Sequence, residues 1–165
     1  MPTTKRRRAK TPPRSSGAVA VQWACAARGA PAAARLRAWV RAAARGACAV
    51  TLRIVGAAEG RRLNRRFRAR DAATNVLTFS YEASPRGVRR GDIALCHALL
   101  AREARAQGKT LAAHYAHLVV HAMLHLQGFD HARRAEAARM ERAEVRILRR
   151  LGFADPYVPG AARSR

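Results

Sequence analysis

From Leu111 to Leu126 the chain reads LAAHYAHLVVHAMLHL, a stretch of helical length that is apolar on nearly every side. A helix without a polar face has to be buried, so any fold this chain adopts must be built around the segment. Thr110 stands where a hydroxyl caps the first turn, and Gly128 stands where a glycine can take the left-handed conformation that ends a helix. The ionisable groups inside the segment are all histidines. His114, His117, His121 and His125 form one stripe at steps of three, four and four residues. Buried imidazoles without partners cost free energy, and a metal ion is an economical partner for them.

On a helix, residues four apart lie one above the other, so the rings of His121 and His125 converge on one point. A chain reversal at Gly128 brings His131 back toward the same point. Three neutral imidazoles leave one tetrahedral position on a zinc ion open, the arrangement of a catalytic site rather than a structural one. The spacing matches the metalloprotease pattern H-E-x-x-H-x-x-G-x-x-H in its histidines and its glycine. Ala122 occupies the place of the glutamate base in that pattern, and it cannot take a proton from water. The motif therefore reads as hydrolytic but not proteolytic, with a cluster of structural histidines as the competing reading. His114 and His117 read as supporting or core residues rather than ligands.

Two further properties of the chain bear on its partners. Its 165 residues suit a single domain with a real core. Its formal charge of +23 points to a polyanion, RNA or DNA first. All 33 basic residues but Lys5, Lys10 and Lys109 are arginine, beside much alanine, so compositional bias accounts for part of that charge. Cys25, Cys48 and Cys96 are far apart and lack a C-x-x-C pair, which suggests buried thiols rather than a disulfide framework. No segment reaches the roughly 20 apolar residues of a membrane span. The basic N-terminus lacks a convincing signal cleavage site, so a cytoplasmic location is expected.

Residues 1–17 read as a basic disordered tail, 18–158 as the folded domain and 159–165 as a disordered C-terminus. Within the domain, strands are expected at 18–24, 48–55, 75–81 and 92–95, the last two paired as a hairpin. Helices are expected at 31–44, 57–67, 97–107, 111–127 and 135–151. Strands early and helices late predict an α+β fold: a small mixed sheet of about four strands covered by helices, with the histidine segment as its central buried helix. On the last helix, Glu141 and Glu144 read as part of a charged, solvated face, with contact to a histidine as the second option.

With these motifs in place, the chain resembles the YbeY family of bacterial endoribonucleases, the rRNA maturation factors. His114-Tyr115-Ala116-His117-Leu118-Val119-Val120-His121, continuing through Leu124-His125-Leu126 and Gly128-Phe129-Asp130-His131, is similar to the family signature almost without a gap. Leu63-Asn64, Phe67-Arg68, Asp71 and Thr74-Asn75-Val76-Leu77-Thr78-Phe79 resemble a second block. Gly91-Asp92-Ile93 resembles a third, and the end, Leu151-Gly152-Phe153 with Asp155-Pro156-Tyr157, is also similar. The chain departs from the family at Ala73, where proline is usual, at Thr78, where serine is usual, and at Ala122 and Met123 in the helix. None of these changes removes a proposed ligand.

The resemblance implies a zincin-like metal helix with one zinc ion on His121, His125 and His131, and it implies that these histidines and Arg68 are the catalytic residues. Its implied activity is cleavage of single-stranded rRNA, at the 3′ end of the small-subunit precursor and in quality control of defective ribosomes. The ribosome, a ribosomal protein and an assembly GTPase are the implied partners. The chemistry is coherent on its own terms. A zinc ion with neutral ligands keeps its double charge for a phosphodiester oxygen, and a guanidinium fork can pair with the phosphate as its charge grows. Asp130 and Asp92 are candidates for orienting a histidine. A non-enzymatic assembly factor with a structural metal and, further off, a metalloprotease are the alternatives.

Overall fold

The computed structural model describes residues 17–159, so the expected tail and C-terminal extension lie almost wholly outside the described residues. Four strands make one open sheet: β1 (Val19–Trp23), β2 (Cys48–Val55), β3 (Val76–Tyr81) and β4 (Arg89–Cys96), in the order β1-β2-β4-β3. β1 runs parallel to β2 and β2 parallel to β4, while β3 pairs antiparallel with β4. Five helices complete the fold: α1 (Ala33–Ala43), α2 (Ala57–Arg68), α3 (His97–Ala106), α4 (Leu111–Leu126) and α5 (Arg134–Arg150). The expected α+β architecture with a mixed four-stranded sheet is therefore present, including the hairpin.

Most boundaries fall within a residue of expectation, and two starts differ by more. β4 begins at Arg89 rather than Asp92, because Arg89 and Arg90 pair with Cys48 and Ala49 of β2. A ladder is held by main-chain groups, so two exposed arginines extend it without any apolar signal in the sequence. α1 begins at Ala33, leaving Pro31 ahead of Ala32, the N-cap, rather than in the first turn.

Side chains alternate across the sheet, so each strand divides its residues between two faces. Val50, Leu52, Ile54, Ile93 and Leu95 belong to the main core with α1, α4 and α5. Thr51, Arg53, Asp92 and Phe79 point the other way, where Phe67 of α2 meets Phe79 edge to face at 4.8 Å. α2 and α4 thus flank the sheet from opposite sides, and both reach its β3 edge.

α4 is the spine of the core. Ten of its sixteen residues are buried, and it packs against α1, α3, α5 and the strands β3 and β4. Each large apolar side chain hidden this way contributes about 1.5–3 kcal/mol. Thr110 caps the helix as expected, its side chain accepting a hydrogen bond from the Ala113 amide at 3.1 Å.

Gly91 sets how closely α4 approaches the sheet. A Cβ there would stand 2.5 Å from a Leu126 methyl and 2.8 Å from the Phe79 carbonyl oxygen, and a backbone oxygen cannot swing aside. Gly91→Ala is expected to cost about 1–3 kcal/mol through overpacking, read as a lower urea midpoint with an unchanged slope.

Candidate metal centre

The end of α4 is built to turn the chain back. Gly128 has φ +88°, its amide donates to the His125 carbonyl at 3.0 Å, and the Phe129 amide donates to the Leu124 carbonyl at 3.1 Å. This closure satisfies two of the carbonyls that a helix end leaves open. Asp130 then shapes the return: its Oδ1 accepts from the amides of His131 and Ala132 at 2.7 and 3.2 Å. Asp130 therefore bends the loop that carries the third histidine instead of orienting a ring.

The result is convergence. One ring nitrogen from each of His121, His125 and His131 lies within 4.8 Å of the others. Ring centroids are 4.7 Å apart for His121 and His125, 4.9 Å for His125 and His131, and 6.0 Å for His121 and His131. The Nε2 atoms of His121 and His125 face one another at 3.2 Å. A tetrahedral ion with metal–nitrogen bonds of about 2.0–2.1 Å holds its ligands about 3.3 Å apart, so this edge already has the span a metal needs.

Protonation fits the same use. Nδ1 of His121 donates to Glu144 Oε1 at 2.5 Å, which leaves Nε2 with a lone pair aimed at the meeting point. Burial, and then the charges of His121 and His131, push the pKa of His125 below its usual value against the opposing pull of Phe129 and Asp130. A neutral imidazole is the form that binds a metal.

Glu144 corrects the expectation of a solvated acid. It is 0% exposed, on the α5 stripe formed with Met140, Ala143, Ile147 and Leu148. Besides His121 it accepts from His117 Nε2 at 3.2 Å and from the Tyr157 hydroxyl. Burial alone would raise its pKa, but the hydrogen bonds from His117, His121 and Tyr157 outweigh burial and hold it at about 2. The signal was available: at its position the apolar stripe of α5 passes through a carboxylate.

Of the remaining candidates, the structure brings His114 and His117 to the same helix and leaves Asp92 on the far face of the sheet. His114 is buried against Glu103 at 2.7 Å, which in turn accepts from Asn75, and His117 lies beside Glu144, so both support the helix rather than join the triad. Asp92 accepts a hydrogen bond from Tyr81 at 2.7 Å on the opposite face of the sheet, away from the histidines. Arg68 is the last residue of α2 and is exposed, one residue past Phe67, which packs on the face of the sheet opposite α4; Ala69 behind it ends the helix at φ 54°. All three thiols are free, with Cys48 and Cys96 buried and Cys25 partly so.

The sequence profile of the family described as "Endoribonuclease YbeY" matches residues 31–152. The chain belongs to the YbeY endoribonuclease family. A Bordetella pertussis protein named Endoribonuclease YbeY is 55% identical over 134 residues, covering 75% of this chain and 85% of its own length. One of the same name from Aromatoleum aromaticum is 56% identical over 127 residues, covering 77% of this chain and 81% of its own. The solution structure of TM1509 from Thermotoga maritima aligns with TM-score 0.52 at 20% identity, over 82% of this chain and 92% of that one, a likeness of fold. The histidine triad, Arg68 and Gly91 all fall inside the stretch that matches the YbeY profile.

Burial, the leading cause in each case, lowers the pKa of His97, His114 and His125. A lowered folded-state value means that the unfolded chain takes up the extra proton first. This stability is complete above about pH 6.5 and is lost as the pH falls below it. In the presence of a chelator, the urea midpoint is expected to drop as the pH falls from about 6.5 to about 5.5. His114→Gln should flatten part of that drop.

Proposed function

We propose that this protein is a zinc-dependent endoribonuclease that cuts single-stranded rRNA. The observation that carries the proposal is the convergence of His121, His125 and His131 with a lone pair of His121 held toward the centre by Glu144. The relatives bear the name of an RNA-cleaving enzyme, and the chain's charge of +23 suits a polyanionic substrate.

When bound, a zinc ion supplies Lewis acidity toward a phosphodiester oxygen. The chain's own residues do the rest. His121 and His125 present their nitrogens from a helix locked in the core, so little reorganisation accompanies reaction. His131 comes from the loop that Asp130 bends. Arg68, at the end of α2, pairs its guanidinium with phosphate oxygens of RNA crossing the β3 edge and stabilises the charge that builds on them. Both flanks of that edge then touch one strand, which a single strand can follow and a stiff duplex cannot.

A peptide substrate fits less well. Ala122 is fully buried, and Glu144 lies on the Nδ1 side of His121, where its oxygens already accept three hydrogen bonds. Neither supplies a base on the open side of the site. The same reading places the protein in the cytoplasm, at the 3′ end of small-subunit precursor rRNA and on defective ribosomes, with a ribosomal protein and an assembly GTPase as partners. No helix among the described residues is long and apolar enough to cross a membrane.

Incubation of metal-analysed protein with labelled single-stranded RNA, duplex RNA and an unfolded protein, with and without chelator, tests the proposal. Chelator-sensitive cleavage of the single strand is expected, abolished by His125→Ala together with the bound metal. Arg68→Ala is expected to lower turnover by about 10²–10³-fold with metal content unchanged. Proteolysis would instead identify a peptidase, and tight RNA binding without turnover a non-enzymatic assembly factor.

A further inference from the structure

The buried face of α5 would pack against α4 with apolar residues alone, as Met140, Ala143, Ile147 and Leu148 do. At its middle stands Glu144, without any exposure to water. An isolated carboxylate in such a place is strongly unfavourable, and an apolar side chain of similar size would serve packing at least as well. A role outside packing is the reason to look at what the carboxylate holds.

Its two oxygens divide their work. Oε1 accepts from Nδ1 of His121, and Oε2 accepts from the Tyr157 hydroxyl and from Nε2 of His117. The first contact fixes both the tautomer and the ring angle of one member of the triad. The other two fix the carboxylate itself. Tyr157 does not belong to α5; it arrives on the segment that follows the helix, and that segment is pinned independently. Lys109 Nζ, between α3 and α4, donates to the Pro156 carbonyl at 2.9 Å, and the Tyr157 amide donates to Asp155 Oδ1 at 2.9 Å. The Tyr157 ring also stands edge-on to His117 at 5.5 Å. A chain of contacts therefore runs from Lys109 through Pro156, Tyr157 and Glu144 to His121.

We propose that Glu144 and Tyr157 are a pair of positioning residues for the metal site, with the C-terminal segment acting as a clamp that holds His121 in its ligand geometry. The inference rests on the metal-site reading above. A carboxylate on the far nitrogen of a ligating imidazole holds the ring in register and raises its basicity, and its loss typically weakens metal binding by about 10–100-fold. The hydroxyl of Tyr157 acts one step further out, so its effect is smaller.

The test compares native protein with Glu144→Gln, Tyr157→Phe and Met140→Ala, each stripped of metal and titrated with Zn²⁺ against a competing chromophoric chelator. Co²⁺ absorption spectra and unfolding midpoints of the metal-free forms are recorded beside the titrations. Glu144→Gln is expected to raise the Zn²⁺ dissociation constant about 10–100-fold and to alter the Co²⁺ spectrum. Tyr157→Phe, which removes one oxygen and keeps the ring, is expected to raise it about 3–10-fold. Met140→Ala opens the same helix interface without touching the cluster, so it should lower the unfolding midpoint and leave affinity and spectrum as in the native protein. Affinities for both polar variants within twofold of native, with unchanged spectra, overturn the proposal. So does a loss of affinity that follows the unfolding midpoint across all three variants. Native protein that takes up neither Zn²⁺ nor Co²⁺ overturns the metal reading itself and the clamp with it, a result distinct from the other two.

Discussion

Burying α4 is the constraint on which the rest of the molecule depends. A helix apolar on nearly every side cannot be left at a surface, so α1, α3, α5 and the sheet must surround it. Its histidines are then carried into the interior, where each needs a partner. The solution differs along the helix: His114 turns to Glu103, His117 to Glu144 and Tyr157, and His121 to Glu144, while His121 and His125 also face each other. The helix that stabilises the fold and the helix that carries the site are the same object. Rigidity at the site is a by-product of core packing.

Placing candidate ligands on such a helix has a geometric benefit. His121 and His125 inherit their spacing from the helical repeat, and only His131 depends on a loop. That loop is short and over-determined: Gly128 allows the reversal, the Phe129 and Gly128 amides close the helix end, and Asp130 holds the amides of His131 and Ala132. Gly91 lets Leu126, at the end of the helix that precedes this loop, lie close against the sheet. α2, which ends at Arg68, meets the opposite face of the sheet through the contact between Phe67 and Phe79.

Elements with strong local signals were legible in the sequence. The second strand spans 48–55 as its apolar pattern requires, and the central helix ends within a residue of where periodicity, Thr110 and Gly128 together put it. The inner stripe of α1, Leu36, Trp39, Val40 and Ala43, is buried as its spacing required. Signals failed where the main chain or a distant residue decides. Arg89 and Arg90 join β4 through pairing with β2, and Pro31 falls just ahead of α1. Glu144 looked like one of several charges on an amphipathic helix. Nothing near it in sequence announces that His117, His121 and Tyr157 will meet it, since those partners lie 27, 23 and 13 residues away.

By itself the sequence determined the class of fold, the buried central helix, the three convergent histidines and the turn that brings the last one back, because helical repeat, capping and glycine conformation are local physics. The tertiary structure alone decided that the acid behind His121 is Glu144, that Tyr157 on the C-terminal segment holds it, and that Asp130 serves the loop and Asp92 the far face. Those choices depend on which faces of distant elements are pressed together. Packing sets that, and no periodicity along the chain encodes it.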